Sequence, residues 1–194
     1  LAQAGLLDEA LLDTYLQFGS RLPGHPVRQK TPFIEVNTGA LGHGLAVGVG
    51  MALAAKKSAR SYLVYVITGD GELQEGSNWE AAMAAAQFQL DNLIWVIDRN
   101  GLQLADFTKK IMDLEPLDKK LEAFGMWVGQ TDGNDPAAFI ETIESLPKGD
   151  GKPKAVIAKT TKGKGVSFIE GRPGWHHRIP RDEELPKAME ELKC

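Results

Sequence analysis

Apolar positions along this chain switch between continuous runs typical of strands and spacings typical of helices. Residues 63–67 (LVYVI) and 93–97 (LIWVI) are short continuous apolar runs, which predict strands buried on both faces of a sheet. Residues 77–89, between them, are rich in alanine and predict a helix that begins with a capping box of Ser77 and Glu80. A strand, a helix and a strand in this order predict two parallel strands joined by a right-handed crossover.

The rest of the chain continues this alternation. Asp135 and Pro136 have the residue types expected at the cap and first position of a helix. Strands alternating with helices predict one domain over residues 1–194, with an α/β, doubly wound, mainly parallel sheet flanked by helices. Further helices are predicted at residues 6–18, 45–57, 117–124, 136–145 and 182–192, and further strands at 33–36, 126–129 and 155–158.

Composition excludes several classes of protein. The net charge is −4 and no dense basic run is present, which disfavours nucleic acid as a partner. Cys194 is the only cysteine, so a disulfide framework is excluded and a reducing, cytoplasmic setting is expected. Residues 39–55 are apolar but short, rich in glycine and interrupted by His43, so we interpret them as a loop leading into a packed helix and expect no membrane segment.

Polar residues stand directly after each of the two apolar strands. Asp70 lies between two glycines after the first strand, and Asn100 follows the second. The carboxyl ends of parallel strands lie at one edge of a sheet, so the two side chains can share an ion if the strands are close. The Asp70 carboxylate, the Asn100 amide oxygen and the Leu102 carbonyl are hard donors suited to Mg²⁺ or Ca²⁺. Gly71 would let a diphosphate approach the main chain. Either Asp-Gly or Asn-Gly alone is more often a simple turn; the pair together favours a metal site.

Residues 69–103 (GDGELQEGSNWEAAMAAAQFQLDNLIWVIDRNGLQ) resemble the thiamine-diphosphate fingerprint, in which a GDG turn is followed one helix and one strand later by Asn. Residues 24–54, which include GHP and TGALGHG, widen the likeness, as do EPLDKKLEAFG, DGND and TKGKGVSFIEGRPGWHH further on. Together these motifs resemble the N-terminal, diphosphate-binding domain of transketolase, and most of all the separately encoded N-terminal subunits. The likeness covers nearly the whole chain.

The resemblance implies a cofactor, a metal and their ligands. The cofactor is thiamine diphosphate, and the metal is Mg²⁺, with Ca²⁺ or Mn²⁺ as substitutes. By position, Asp70, Asn100 and the carbonyl of Leu102 hold the metal, while Gly71 and Asn100 contact the diphosphate.

The resemblance also implies residues around the reacting end of the cofactor. Gly39, Ala40 and Leu41 line the cofactor near its aminopyrimidine. His25 and His176 reach the thiazolium and the substrate hydroxyls, and His176 is preferred to the adjacent His177 by its place in the motif. Glu75 and Glu80 match glutamates at the contact between two active sites, and Lys162 and Lys164 could assist phosphate binding or lie in a solvated loop.

The reaction implied is ketol transfer, in which a two-carbon fragment passes from a ketose phosphate to an aldose phosphate. The family's activating glutamate belongs to a separate pyrimidine-binding domain. Because the chain starts at Leu1, we expect the N-terminal part of the family domain to be missing. We therefore expect the N-terminal half of a transketolase, inactive without a pyrimidine-binding C-terminal subunit, in a dimer or heterotetramer.

Three alternatives remain open from the sequence. One is another thiamine-diphosphate enzyme, such as a deoxyxylulose-phosphate synthase or the E1 component of a 2-oxoacid dehydrogenase. Another is a nicotinamide-dependent oxidoreductase, suggested by the spacing of Gly42, Gly44 and Gly48, although a lone glycine cluster is weak support. The last is a diphosphate-binding module without catalytic activity.

Overall fold

The structure, a computed structural model, describes residues 1–104 and 106–193, so Cys194 lies outside the described residues. The chain divides into two compact units, Leu1–Leu41 and Gly42–Cys194. The first unit contains a short 3₁₀ helix, Glu9–Thr14, whose first turn is capped by the side chain of Asp8. The described α-helices and strands of the second unit are α1 (Gly44–Lys57), β1 (Val64–Gly69), α2 (Gly76–Gln87), β2 (Leu93–Arg99), β3 (Leu102–Gln103), β4 (Asp106–Phe107), α3 (Thr108–Ile111), α4 (Leu117–Ala123), β5 (Trp127–Asp132), α5 (Pro136–Glu144), β6 (Lys154–Lys159) and α6 (Glu184–Glu191), and two 3₁₀ helices lie at Gly71–Gln74 and Pro173–Trp175.

The second unit is built on a parallel sheet with the strand order β1-β2-β6-β5. Helices α1, α2 and α4 cover one face, where Trp95 and Leu121 are buried, and α5 covers the other face through Phe139 and Ile143. The expected doubly wound, mainly parallel α/β fold is therefore confirmed. The strand–helix–strand unit is also confirmed, because β1 pairs with β2 in parallel across α2.

Small residues let two helices approach the sheet closely. Ala82 and Ala85 of α2 are fully buried in the main core. In α1, Gly48 leaves so little space that a Cβ at this position would lie 2.3 Å from Cγ2 of Val66. This close approach explains why α1 carries glycines despite their low helix propensity.

Two elements expected in the first unit do not form. The helix expected at residues 6–18 is limited to the 3₁₀ turn of Glu9–Thr14, which buries no side chain that could stabilise a longer helix. The strand expected at residues 33–36 is absent, and Phe33 has a φ of 61°, which is incompatible with extended backbone.

Two further expectations are wrong in the second unit. The N-cap of α2 is Glu75, with no side-chain capping bond, so the capping box of Ser77 and Glu80 does not form. The first apolar run is not buried on both faces, since Tyr65 and Ile67 are 53% and 73% exposed. The reason is that β1 lies at the edge of the sheet, whereas the second run lies in the interior strand β2 and is buried throughout.

Other local expectations hold. Asp135 caps α5 by accepting hydrogen bonds from the main-chain N–H groups of Ala137 and Ala138 at 2.9 and 3.3 Å, and Pro136 occupies the first helical position. Of the described helices, none combines the length and the apolar character needed to cross a lipid bilayer.

Candidate metal and diphosphate site

Asp70 lies at the point where the carboxyl ends of β1 and β2 meet. Its main-chain N–H donates to the carbonyl of Asp98 at 3.1 Å, which continues the pairing of the two strands by one residue. The main-chain N–H of Gly101 donates to Oδ2 of Asp70 at 2.7 Å. The turn that contains Asn100 therefore lies directly against the Asp70 carboxylate, as the parallel pairing of the two strands requires.

The Asp70 carboxylate is fully buried and hydrogen-bonded on both oxygens. Oδ1 accepts from the N–H of Gly71 at 2.8 Å, and Oδ2 accepts from Gly101 and from Nη1 of Arg99 at 2.7 Å. A carboxylate offers about four acceptor positions, so one position, on Oδ1, is left by these three bonds.

Arg99, the last residue of β2, was not identified from the sequence. Its side chain is 16% exposed and joins Asp70 to Glu115, where Nη2 lies 2.9 Å from Oε1. Nη1 also donates to the hydroxyl of buried Thr108 at 2.9 Å. Burial opposes the charge of Arg99, but hydrogen bonds from the guanidinium to the two carboxylates raise its pKa above the ordinary value. The pKa of Glu115 is lowered by the hydrogen bond from the N–H of Leu117 and by Arg99.

The other two expected metal ligands lie in the turn beside Asp70. Asn100 is partly exposed, and its Oδ1 accepts from the N–H of Leu102 at 3.0 Å, which leaves one acceptor position on the amide oxygen. Leu102 is buried at the start of β3. Among the described residues no cluster of three or more His, Cys, Asp or Glu side chains could hold a metal. The strand tips instead offer one carboxylate, one amide oxygen and a main-chain carbonyl, a donor set that fits Mg²⁺.

Gly71 and Gly42 keep the backbone close to other groups at this edge of the sheet. A Cβ at Gly71 would lie 2.9 Å from Cγ of Gln103. The N–H of Gly42 donates to Oε1 of Glu72 at 2.9 Å, and its carbonyl accepts from the hydroxyl of Ser77 at 2.7 Å. Ser77, expected as a helix cap, therefore fixes the turn that directly follows Gly39–Leu41 in sequence. Glu72 also accepts from the N–H of Gly69 at 3.3 Å, so it links that turn to the end of β1.

Glu75 and Glu80 are both exposed at the start of α2. This position is compatible with a contact to a second chain, which stays a prediction. Glu75 also packs beneath Gly42, where an added Cβ would lie 2.6 Å from the Cβ of Glu75.

His176 lies in the long loop after β6 and is paired with Lys162. Its Nδ1 is 2.8 Å from Nζ of Lys162, and its ring stands edge-to-face on His177 with centroids 4.5 Å apart. An ammonium group can only donate, so Nδ1 accepts and the proton of the neutral ring is on Nε2. Burial lowers the pKa of His176 below its ordinary value, and the charges of Lys162 and His177 lower it further. The 3₁₀ turn just before His176, Pro173–Trp175, contacts β4.

The remaining expected residues lie in the first unit. His25 packs against Gly39, where an added Cβ would lie 2.8 Å from Cγ of the imidazole. Gly39 has a φ of 109°, so it combines an unusual backbone conformation with this close contact. Ala40 and Leu41 are exposed. The structure thus brings His25 and Gly39 together within this unit.

Sequence reasoning missed Arg99, Glu72, Thr108 and Glu115 as parts of this site. The signal that was present is a pair of charged residues, Asp98 and Arg99, at the end of a strand whose first five residues are buried. A charge in that place needs a partner, because burying an unpaired ion is costly.

Comparison with known proteins gives a consistent result for almost the entire chain. Residues 6–192 match the family described as "Transketolase, thiamine diphosphate binding domain". An apulose-4-phosphate transketolase subunit from Actinobacillus succinogenes is 60% identical over 193 residues, which are 100% of this chain and 70% of that protein. The 6-deoxy-6-sulfo-D-fructose transketolase subunit SqwG of a Clostridium species is 39% identical, with the same two coverages.

Solved structures agree with the sequence relatives. The crystal structure of transketolase from Campylobacter jejuni superposes on 94% of this chain with a TM-score of 0.87 and 33% identity. The chain spans only 29% of that protein's length.

Proposed function

This chain belongs to the transketolase family of thiamine-diphosphate-binding domains, and on that premise we propose that it is the N-terminal subunit of a transketolase. The activity would be a two-carbon ketol transfer from a ketose phosphate to an aldose phosphate, dependent on thiamine diphosphate and Mg²⁺. The observation that carries this proposal is the hydrogen bond from the turn after β2 to the buried Asp70 carboxylate. This bond keeps several oxygen donors close together at the tips of two parallel strands.

The chain's own residues would bind and orient the cofactor. Asp70, Asn100 and the Leu102 carbonyl would hold the metal, each with an acceptor position suited to a hard cation. Gly71, with no side chain, would let the diphosphate reach the backbone beside that metal. Thiamine diphosphate, when bound, supplies the carbon centre that accepts the two-carbon fragment.

His25 and His176 would act at the reacting end of the cofactor and substrate. Neutral His176, with its proton on Nε2, can donate a hydrogen bond to a substrate oxygen and can exchange a proton near neutral pH. Gly39, against which His25 packs, would line the aminopyrimidine side of the cofactor together with Ala40 and Leu41.

A second protein chain would complete the active site. The two relatives from Actinobacillus succinogenes and Clostridium support this assembly, because their names describe each as one subunit of a transketolase and so imply a separate partner chain. We propose that the partner is the pyrimidine-binding C-terminal subunit, that exposed Glu75 and Glu80 lie at this contact, and that the chain alone is inactive. We propose that the two subunits form a dimer or heterotetramer and that this assembly is located in the cytoplasm.

The substrate class follows from the same relatives. The Actinobacillus protein, 60% identical, is named for apulose 4-phosphate, so that ketose phosphate is the first donor to test. The relative named for 6-deoxy-6-sulfo-D-fructose makes sulfonated ketoses the second.

The alternatives that keep the cofactor differ in substrate. Deoxyxylulose-phosphate synthases and 2-oxoacid dehydrogenase E1 components use pyruvate or other 2-oxoacids, so they are separated by assay. The nicotinamide alternative loses its basis, because two of its three glycines have other roles. Gly42 is hydrogen-bonded to Glu72 and Ser77, and Gly48, inside α1, packs on Val66 of β1.

The decisive experiment combines the purified chain with a pyrimidine-binding subunit, thiamine diphosphate and Mg²⁺. We expect turnover with ketose phosphates but not with pyruvate, and none for the chain alone. D70N should reduce activity by more than about a hundredfold, whereas E141Q, an exposed carboxylate change on α5, should not. Turnover with pyruvate alone, or by the single chain, would contradict the proposal. Cofactor binding without turnover in any pairing would favour the non-catalytic module.

A further inference from the structure

The Asp70 carboxylate already has a cationic partner within the chain. Arg99 donates to Oδ2 of Asp70 at 2.7 Å, and the pair is shielded from solvent, with side-chain exposures of 16% and 1%. At such a site a unit charge acts on its neighbours over several ångströms with little screening. Any cation that binds Asp70 must therefore do so beside a fixed positive charge.

Arg99 is held in place from three sides. Nη1 bonds Asp70 and Thr108, while Nε and Nη2 both bond Oε1 of Glu115, at 3.3 and 2.9 Å. These contacts use four of the five N–H bonds of the guanidinium. A group so fully engaged inside the protein is poorly placed to bind an anion such as a phosphate, so its role concerns Asp70 itself.

The orientation of Asp70 does not depend on Arg99. The main-chain N–H groups of Gly71 and Gly101 hold its two oxygens independently, at 2.8 and 2.7 Å. Loss of the guanidinium would therefore leave the carboxylate in position while removing the charge beside it. This separates the electrostatic effect of Arg99 from any effect on geometry.

We propose that Arg99 is an internal counter-ion of Asp70. Its charge weakens divalent-cation binding at the strand tips, and it stabilises the chain when no cation is bound there. This inference rests on the proposed function, since it assumes that Asp70 is a metal ligand. Arg99 neutralises the buried carboxylate when no cation is bound. When a divalent cation binds, its charge is opposed by the guanidinium, so the affinity is set below what the oxygen donors alone would give.

The test is a titration of the full chain with Mn²⁺ alone, with free Mn²⁺ measured by electron paramagnetic resonance. R99Q should bind Mn²⁺ at least about tenfold more tightly than the parent, because one nearby unit charge is removed. R99K keeps the charge and should stay within about threefold of the parent. K119Q removes a surface charge on α4, paired with Glu122 in the parent, and should change nothing.

Several outcomes would overturn the inference. R99Q binding no more tightly than the parent, or R99K tightening as much as R99Q, would show that the charge of Arg99 does not set the affinity. If circular dichroism shows that R99Q folds only when Mn²⁺ is present, this result supports the inference that a bound cation can replace Arg99 as the counter-ion of Asp70. If R99Q folds neither with nor without Mn²⁺, the E115Q variant provides the test. E115Q leaves Arg99 without its second carboxylate, so more of its positive charge should act on the site and Mn²⁺ binding should weaken. Unchanged or tighter Mn²⁺ binding by E115Q would contradict the inference.

D70N separates this inference from the proposed function. If D70N abolishes Mn²⁺ binding and R99Q is not tighter, only the role of Arg99 is wrong. If D70N binds Mn²⁺ as the parent does, or no variant binds it, Asp70 is not a metal ligand and both proposals fail.

Discussion

Replacing Gly48 with alanine tests the close packing of α1 on the edge strand β1. Gly48 faces the sheet, and an added Cβ would lie 2.3 Å from Cγ2 of Val66, well inside van der Waals contact. Val66 is β-branched and buried, so its side chain cannot rotate away at low cost. Gly50, two residues on, is exposed and has no atom within 4 Å of an added Cβ. The two glycines therefore form a matched pair within one helix.

The magnitude follows from two opposing contributions. Alanine is favoured over glycine inside a helix by about 0.5–1 kcal/mol, and this gain applies to both variants. G48A also suffers overpacking, which costs about 1–3 kcal/mol. Because the helix contribution is common, the free energy of unfolding of G48A should be about 1–3 kcal/mol below that of G50A. This corresponds to a difference in Tm of about 2–12 °C for a chain of this size.

Urea denaturation followed by tryptophan fluorescence measures this difference. We expect G50A to unfold at a higher urea concentration than the parent and G48A at a lower one than G50A, with unchanged slopes. If G48A were as stable as G50A, α1 would not be in tight contact with β1, and the small residues of this helix would need another explanation.

Two further predictions concern ionisable pairs. K162M should raise the pKa of His176 in NMR titrations, because one of the charges that lower it is removed, whereas K164M should not. The pKa of His176 in the folded protein lies below its unfolded value of about 6.5. The free energy of unfolding should therefore decrease as the pH drops from the unfolded pKa through the lowered folded pKa, and this decrease should be smaller in K162M. D150A should lower the Tm by leaving Lys154, 1% exposed, without its carboxylate, and the double variant D150A/K154M should recover most of the loss. The hydrogen bond from Lys154 lowers the pKa of Asp150. The stabilisation by this pair should therefore be complete above about pH 4 and should be lost as the pH falls through the lowered pKa of Asp150. A Tm difference between D150A and the parent that persists at still lower pH would refute this role of the pair.

Local pattern was sufficient for most of the second unit. The positions of α1, β2 and α5 follow from apolar periodicity and from the cap at Asp135. The proximity of the turns at residues 70 and 100 follows too, because parallel strands joined by one helix end at the same edge of a sheet. In the first unit the same reasoning failed, since the 3₁₀ turn at Glu9–Thr14 buries no side chain and apolar spacing alone does not stabilise a helix.

By itself the sequence determined the α/β class, the strand–helix–strand unit and the oxygen donors at the strand tips. These depend on short-range properties, namely backbone preference, continuous apolar runs and the residues that directly follow them. Only the tertiary structure decided that β1 is an edge strand with Tyr65 exposed, that Ser77 holds Gly42 and that Arg99 neutralises Asp70. Those outcomes depend on which distant segments become neighbours, and a long side chain or a hydroxyl selects its partner only after the sheet has brought those segments together.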